Sequence, residues 1–94
     1  MFVPQIIIPD WPAPVNVRGA VTTRFGGVSQ QPYDTFNLAT HVGDDPQAVA
    51  TNRVRLREVL KLPAEPWWLT QVHGSRVIDA FDAGPGEEAD GCVT

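Results

Sequence analysis

His73 is the residue in this sequence whose type and position are best suited to chemistry. It closes an extended run that starts at Trp67, and on a β-strand its side chain would share a face with Leu69 and Gln71, because side chains alternate along a strand. An imidazole at a strand end, with Gly74 leaving room beside it, suits a metal ion or a proton transfer. The sequence holds only two histidines and one cysteine, and no pair of them has metal-ligand spacing. The local pattern alone therefore favours a structural histidine over a ligand.

The glycine pair Gly26-Gly27, flanked by Arg24 and Ser29, is a second candidate site. Two glycines allow left-handed backbone conformations that turn amides toward an anion. Arg24 would add a planar fork for phosphate or carboxylate, and Ser29 would add a hydroxyl. A lone glycine pair is a weak motif, however, so a turn with a solvated arginine is the alternative interpretation.

A third candidate is His41, which comes shortly before two carboxylates, Asp44 and Asp45. Asp45 is expected to cap a helix, with Pro46 at the first helical position, where its missing N–H has no cost. Asp44 and His41 are then the two residues of this segment that the predicted helix cap does not use. His41 either contacts a substrate or a carboxylate, or is an ordinary surface residue of a loop.

One helix and several short strands are predicted to position these residues. The helix should run from Asp45 to about Lys61, because Leu62-Pro63 stops it. Asn52 lies on its apolar stripe, where a polar side chain needs a hydrogen-bond partner, and we expect it to pin a neighbouring loop. The apolar members of that stripe are Val49, Leu56, Val59 and Leu60.

Extended segments are predicted at residues 6–8, 15–24, 67–73 and 76–81, and again from residue 91. Gly74-Ser75 would form a two-residue hairpin turn between the third and fourth of these segments. The last segment would then be an unpaired strand start, which is a poor place for a domain to end. Cys92 within it is expected to be a small buried hydrophobe.

Composition restricts the class of protein. The 94 residues allow one small domain, and 43% hydrophobic with 19% charged residues is typical of a globular chain. The net charge of −4 and the absence of a basic run argue against nucleic acid as a partner. A single cysteine excludes an internal disulfide, and the N-terminus has neither the basic region of a signal peptide nor the length to span a bilayer. We therefore expect a cytoplasmic protein without a membrane partner.

Several motifs follow one another along nearly the whole chain. They are TRFGGVS at 23–29, PYDTFNL at 32–38, HVGDDP at 41–46, Asn52-Arg53, WLTQVHG at 68–74, and Ala89-Asp90 ahead of Val93-Thr94. This ordered set closely resembles the YfiH-like laccase-domain family, which has also been called multicopper polyphenol oxidase, peptidoglycan editing factor and purine nucleoside phosphorylase. The resemblance covers about Ile8 to Thr94.

The resemblance implies an α/β (α+β) fold in which a mixed β-sheet sandwich is flanked by helices. Members of the family are single domains of about twice this length or more, so residues 1–94 would be an N-terminal fragment of one such domain. Its partner would be the C-terminal remainder of the same fold.

The resemblance also implies a zinc site with His73 as a catalytic metal ligand, while a cysteine and a second histidine would lie beyond Thr94. The older name suggests copper, but a single His/Cys/His site lacks the copper arrangement that phenol oxidation requires, so zinc is expected. Cys92 precedes the family's ligand cysteine and is not assigned as a ligand.

The implied activity is that of a purine nucleoside phosphorylase, which cleaves adenosine, inosine or methylthioadenosine with phosphate and also deaminates adenosine. Arg24, Gly26 and Gly27 would bind phosphate. Substrate contacts are assigned to Arg24, Ser29 and His41. These assignments come from position and chemistry within the resemblance.

Two other classes of function are compatible with the same residues. One is a non-catalytic module whose exposed strand start pairs with another chain. The other is a hydrolase or deamidase that uses the downstream cysteine as nucleophile and a histidine as base. A reading frame that continues past Thr94 into a cysteine and a histidine would favour the enzymes over the module.

Overall fold

The computed structural model describes residues 4–81, 84 and 86–93. They belong to two compact units, Met1–Pro63 and Ala64–Thr94. The first unit contains β1 (Ile6–Ile7), β2 (Val21–Thr22) and α1 (Pro46–Val59), and the second contains β3 (Val77–Asp79) and β4 (Gly91–Val93). Within these described residues, the one helix and two small sheets, one antiparallel and one parallel, confirm the predicted mixed α/β class.

Strands β1 and β2 pair antiparallel, with Ile6 opposite Thr22 and Ile7 opposite Val21. The predicted strand at 15–24 is therefore wrong over its first part. The physical reason is a turn, in which the amide of Val17 donates to the carbonyl of Pro14 at 2.9 Å and withdraws this segment from the sheet.

Helix α1 begins as predicted and ends two residues earlier than expected. The Asp45 carboxylate accepts the amide of Gln47 at 3.2 Å, and Pro46 follows it. At the other end Lys61 adopts a left-handed φ of 53°. The amide of Leu62 donates to the carbonyl of Arg57 at 3.0 Å, and that of Lys61 to the carbonyl of Glu58 at 3.2 Å. This is a Schellman motif, which satisfies the last carbonyls before Pro63 is reached.

The apolar core of the first unit forms around α1. Phe36, Val49 and Leu56 are buried, and Asn52 is fully buried among them. The other predicted members of the stripe, Val59 and Leu60, are half-buried. The helical period thus predicted the buried face of α1 correctly.

Strands β3 and β4 pair parallel, with Val77 opposite Gly91 and Asp79 opposite Val93. The hairpin predicted at Gly74-Ser75 is wrong, because β3 pairs with β4 and not with the segment at 67–73. That segment instead forms an isolated bridge between Thr70 and Glu88. The expectation of an unpaired strand start is likewise wrong, since β4 lies in a sheet from its first residue.

The core of the second unit is small. Ile78 and Ala89 are buried, whereas Cys92 is only half-buried rather than fully buried as expected. Within the described ranges, no helix is both long enough and apolar enough to cross a membrane.

Candidate functional site

A buried polar cluster joins helix α1 to the loops that precede it. Asn52, which is 0% exposed, accepts the amide of Val28 at 2.9 Å through Oδ1. Its Nδ2 donates to Ser29 Oγ at 2.9 Å and to the carbonyl of Asn37 at 2.8 Å. A longer bond of 3.3 Å reaches the carbonyl of Thr35. The prediction that Asn52 pins a loop is confirmed, and the cluster holds two separate loop segments.

Ser29 lies inside this cluster, with 4% of its surface exposed. Its hydroxyl donates to Asp44 Oδ2 at 2.6 Å and accepts from Asn52. A substrate contact by Ser29 stays a prediction. The hydroxyl already donates its proton to Asp44, so such a contact would use its second acceptor lone pair.

The glycine pair forms a turn, and Gly26 has a left-handed φ of 101°. The amides of Gly26 and Gly27 both donate to Thr35 Oγ1, at 3.1 and 3.2 Å. A side chain at Gly27 would overlap the carbonyl oxygen of Thr35 and Oδ1 of Asn52. The pair therefore allows the loop to approach the helix closely, and phosphate binding by its amides stays a prediction.

Arg24 carries an exposed positive charge beside the glycine pair, since 65% of its side chain is exposed. Its Nε donates to the carbonyl of Asp34 at 3.1 Å, and a terminal nitrogen lies 4.0 Å from the Asp34 carboxylate. Arg24 also lines an open groove of about 300 Å³ together with Tyr33 and Asn37. An anion in this groove would be attracted by the guanidinium and repelled by the neighbouring Asp34 carboxylate.

His41 is exposed in the loop before α1. The neighbouring loop segment is held by the Tyr33 hydroxyl, which donates to the carbonyl of Val42 at 2.6 Å. The loop residues that follow His41 are thereby fixed on the first unit, and its contact with a nucleoside stays a prediction.

Asp44 is not the uncommitted carboxylate that the sequence suggested. It accepts bonds from the Ser29 hydroxyl, from Asn37 Nδ2 at 3.2 Å and from the amide of Asp45 at 2.7 Å. The Ser29 hydroxyl is the main cause that lowers the pKa of Asp44 below its ordinary value. Partial burial opposes this effect, and Asn37 and the Asp45 amide add to it. Asp44 is therefore ionised at neutral pH and serves the buried polar cluster.

His73 lies in the second unit, in a loop rather than on the predicted strand. Its backbone has a left-handed φ of 58°, and its side chain is exposed. The change from strand to loop has a visible cause, because the Asp90 carboxylate accepts the amides of three successive residues. These are Val72 at 3.1 Å, His73 at 2.6 Å and Gly74 at 2.7 Å. We call this arrangement the Asp90 anchor.

The Asp90 anchor favours an ionised carboxylate. Partial burial raises the pKa of Asp90, but the three amides and the charge of the His73 ring lower it, and the net pKa lies below the ordinary value. The sequence places Asp90 in the Ala89-Asp90 motif, from which no role for its carboxylate was predicted. The sequence signal for its role as an acceptor is the pair His73-Gly74, because successive amides at such a pair can turn toward one anion.

An imidazole nitrogen is an ordinary zinc donor, so His73 fits the ligand role that the family resemblance implies. Over residues 4–81, 84 and 86–93, no group of three His, Cys, Asp or Glu side chains is arranged to hold a metal ion. A zinc-ligand role for His73 stays a prediction.

Comparison with known proteins places these features in a family. Residues 18–94 match the family model described as multi-copper polyphenol oxidoreductase laccase. A Pseudomonas aeruginosa protein named purine nucleoside phosphorylase is 58% identical over 74 residues, which cover 79% of this chain and 30% of that protein. A Haemophilus influenzae protein of the same name is 49% identical over 90 residues, covering 96% of this chain and 37% of that protein.

A solved structure is also similar. The Neisseria meningitidis protein NMB0706 is 44% identical, and the match covers 90% of this chain and 34% of that one with a TM-score of 0.77. The chain thus spans about a third of the length of the relatives it matches. With its ordered motifs, its family-model match and this shared fold, the chain belongs to the YfiH-like family of multi-copper polyphenol oxidoreductase laccase domains.

Proposed function

We propose that residues 1–94 are the N-terminal part of a single-domain, cytoplasmic purine nucleoside phosphorylase that depends on zinc. The observation that carries the proposal is the 58% identity to a relative bearing the name purine nucleoside phosphorylase. The exposed His73 on its anchored loop supports it, since a metal ligand must face the space that the metal will occupy. Adenosine, inosine and methylthioadenosine are the proposed substrates, with adenosine deamination as a second activity.

Phosphorolysis requires the protein to hold both the nucleoside and the phosphate. A phosphate oxygen attacks C1′ of the ribose, the bond from C1′ to the purine nitrogen breaks, and the purine keeps the bonding electrons. The purine nitrogen then takes up the proton that the hydrogen phosphate gives up. When bound, zinc would polarise the purine or activate a water molecule. In this chain His73 would donate one ligand nitrogen to the zinc.

Phosphate would be held by Arg24, whose guanidinium suits a phosphate group through paired hydrogen bonds. Gly26 and Gly27 are proposed to bind the phosphate together with Arg24. Ser29 and His41 are the proposed contacts to the nucleoside. When phosphate binds, the positive charge of Arg24 would have to attract the phosphate and also offset the negative charge of the neighbouring Asp34 carboxylate.

The direct test is phosphorolysis by the full-length protein that contains these residues. Inosine and phosphate should yield hypoxanthine and ribose 1-phosphate, and omission of phosphate should abolish the sugar phosphate. A zinc-loaded full-length protein that forms no ribose 1-phosphate from any of the three nucleosides would contradict the proposal.

Replacement of Arg24 separates phosphate binding from nucleoside binding. We expect Arg24→Ala to raise the KM for phosphate with little change in the KM for inosine, because the charge acts on the anion. Arg18→Ala is a control within the same unit, since Arg18 donates to the carbonyl of Leu60 and has no proposed phosphate role. An unchanged phosphate response in Arg24→Ala would remove Arg24 from the site.

A further inference from the structure

The Asp90 anchor gives one carboxylate three backbone donors. Two of them, the amides of Val72 and His73, reach Oδ1, and the amide of Gly74 reaches Oδ2. Successive amides that converge in this way form a nest for an anion. Here the anion is a side chain of the same chain, so this nest is already filled and is not a site for phosphate.

The anchor acts on the backbone of His73. A left-handed φ is uncommon for a residue with a Cβ atom, and His73 adopts it at the centre of the three donors. Hydrogen bonds to an ionised acceptor are shorter and stronger than neutral ones, and the bonds from His73 and Gly74 measure 2.6 and 2.7 Å. The carboxylate therefore selects the backbone conformation from which the imidazole projects.

Asp90 is itself held on both sides. Its amide donates to the carbonyl of Arg76 at 2.9 Å, and the preceding Ala89 is fully buried with its amide bonded to the carbonyl of Thr70 at 3.0 Å. Strand β4 starts at the next residue, Gly91, which pairs with Val77. The carboxylate thus projects from a fixed point, so it can impose a geometry on the loop rather than follow it.

Gly74 completes the arrangement. A Cβ atom at this position would lie 3.3 Å from Asp90 Oδ2, which is closer than most such contacts. The absence of a side chain therefore lets the carboxylate approach the amide of Gly74.

We propose that Asp90 is a positioning residue for His73: its carboxylate, bonded to the amides of residues 72–74, sets the direction in which the imidazole points. The proposal rests on the proposed function in that it gives His73 the role of zinc ligand. Groups that orient a metal ligand typically contribute 10- to 100-fold to metal affinity or activity, and this is the size of effect expected from Asp90.

The experiment compares Asp90→Asn with the wild type in the full-length protein. The variant keeps the size of the side chain but loses its charge and one acceptor oxygen. We expect the amides of residues 72–74 to exchange with solvent at least about tenfold faster, and cross-peaks of the His73 ring in nuclear Overhauser spectra to change. Zinc affinity, measured by competition with a chelator, should fall by about 10- to 100-fold.

Asp79→Asn is the matched control, because Asp79 lies in the same unit and its carboxylate accepts the amide of Phe81, at 2.9 Å, rather than any amide of residues 72–74. It should leave both the exchange of residues 72–74 and the zinc affinity as in the wild type. If Asp90→Asn does not fold, Gly74→Ala replaces it, since it crowds Oδ2 without removing the charge and should change the same measurements in the same direction.

Unchanged amide exchange and an unchanged His73 ring environment in Asp90→Asn would overturn the positioning role. So would a zinc affinity equal to that of the wild type. These results are distinct from a failure of the proposed function, which would appear as a wild-type protein that forms no ribose 1-phosphate while its amides of residues 72–74 are still protected.

Discussion

At the scale of single residues, Asn52 shows why a polar side chain occupies the buried face of a helix. Its side-chain oxygen accepts from one donor and its side-chain nitrogen donates to three acceptors, all of them in the loops at 28–37. A polar position on an apolar stripe could be identified from the helical period, and so could its need for partners. The partners themselves lie 15 to 24 residues away along the chain, so only the fold identified them.

We expect Asn52→Ala to lower the free energy of unfolding by about 1–3 kcal/mol, because it leaves buried loop donors and acceptors without partners. Denaturant unfolding of the purified protein measures the effect. Thr51→Ala is the control, since Thr51 lies on the exposed face of the same helix and should change the stability by less than about 0.5 kcal/mol. Equal losses in the two variants would contradict the role given to Asn52.

Asp44 predicts a dependence of stability on pH. Its pKa is lowered in the folded protein, chiefly by the Ser29 hydroxyl, so its ionised form stabilises the fold at pH values above its ordinary pKa of 3.8. That contribution is lost as the pH falls through the lower, folded-state pKa. Stability measured by denaturant at a series of pH values should therefore fall more steeply below about pH 4 in the wild type than in Asp44→Asn. Parallel curves for the two proteins would show that this carboxylate does not contribute.

At the scale of elements, local signals located α1 well and the sheets poorly. Two adjacent residues, Asp45 and Pro46, mark the start of the helix. The cap and the first turn form between neighbouring residues, so they need no distant partner. The pairing of β3 with β4 joins residues 14 apart in a parallel sheet, whereas the sequence at Gly74-Ser75 favoured a hairpin. A parallel pair has no turn signal of its own, so alternation and glycine content could not predict it.

The end of α1 gives a prediction at this scale. Lys61 holds the left-handed position of a Schellman motif, where glycine has no steric cost. Lys61→Gly should therefore raise the free energy of unfolding by up to about 1 kcal/mol relative to Lys61→Ala, which retains the Cβ atom. Thermal or denaturant unfolding compares the two, and a glycine variant that is no more stable than the alanine variant would contradict the motif.

At the scale of the whole molecule, the chain covers about a third of the length of its relatives. The proposed zinc site needs a cysteine and a second histidine in addition to His73, and both are expected outside residues 1–94. His73→Ala in the full-length protein is expected to remove zinc and nucleoside cleavage together, because it deletes one ligand of the proposed three-ligand site. Metal analysis and the phosphorolysis assay measure the two losses, with His41→Ala as the comparison that should retain zinc. Stoichiometric zinc in His73→Ala would exclude this residue as a ligand.

The sequence alone determined the family, the helix with its cap, and the need of Asn52 for buried partners. Each of these depends on the types of residues and on spacings within a few positions, or on several motifs in a fixed order. The tertiary structure alone decided that Asp44 belongs to the buried polar cluster, that β3 pairs parallel with β4, and that Asp90 holds the loop of His73. The physical reason is that the Asp90 bonds span 16 to 18 residues, and such contacts form only after the intervening chain has folded back.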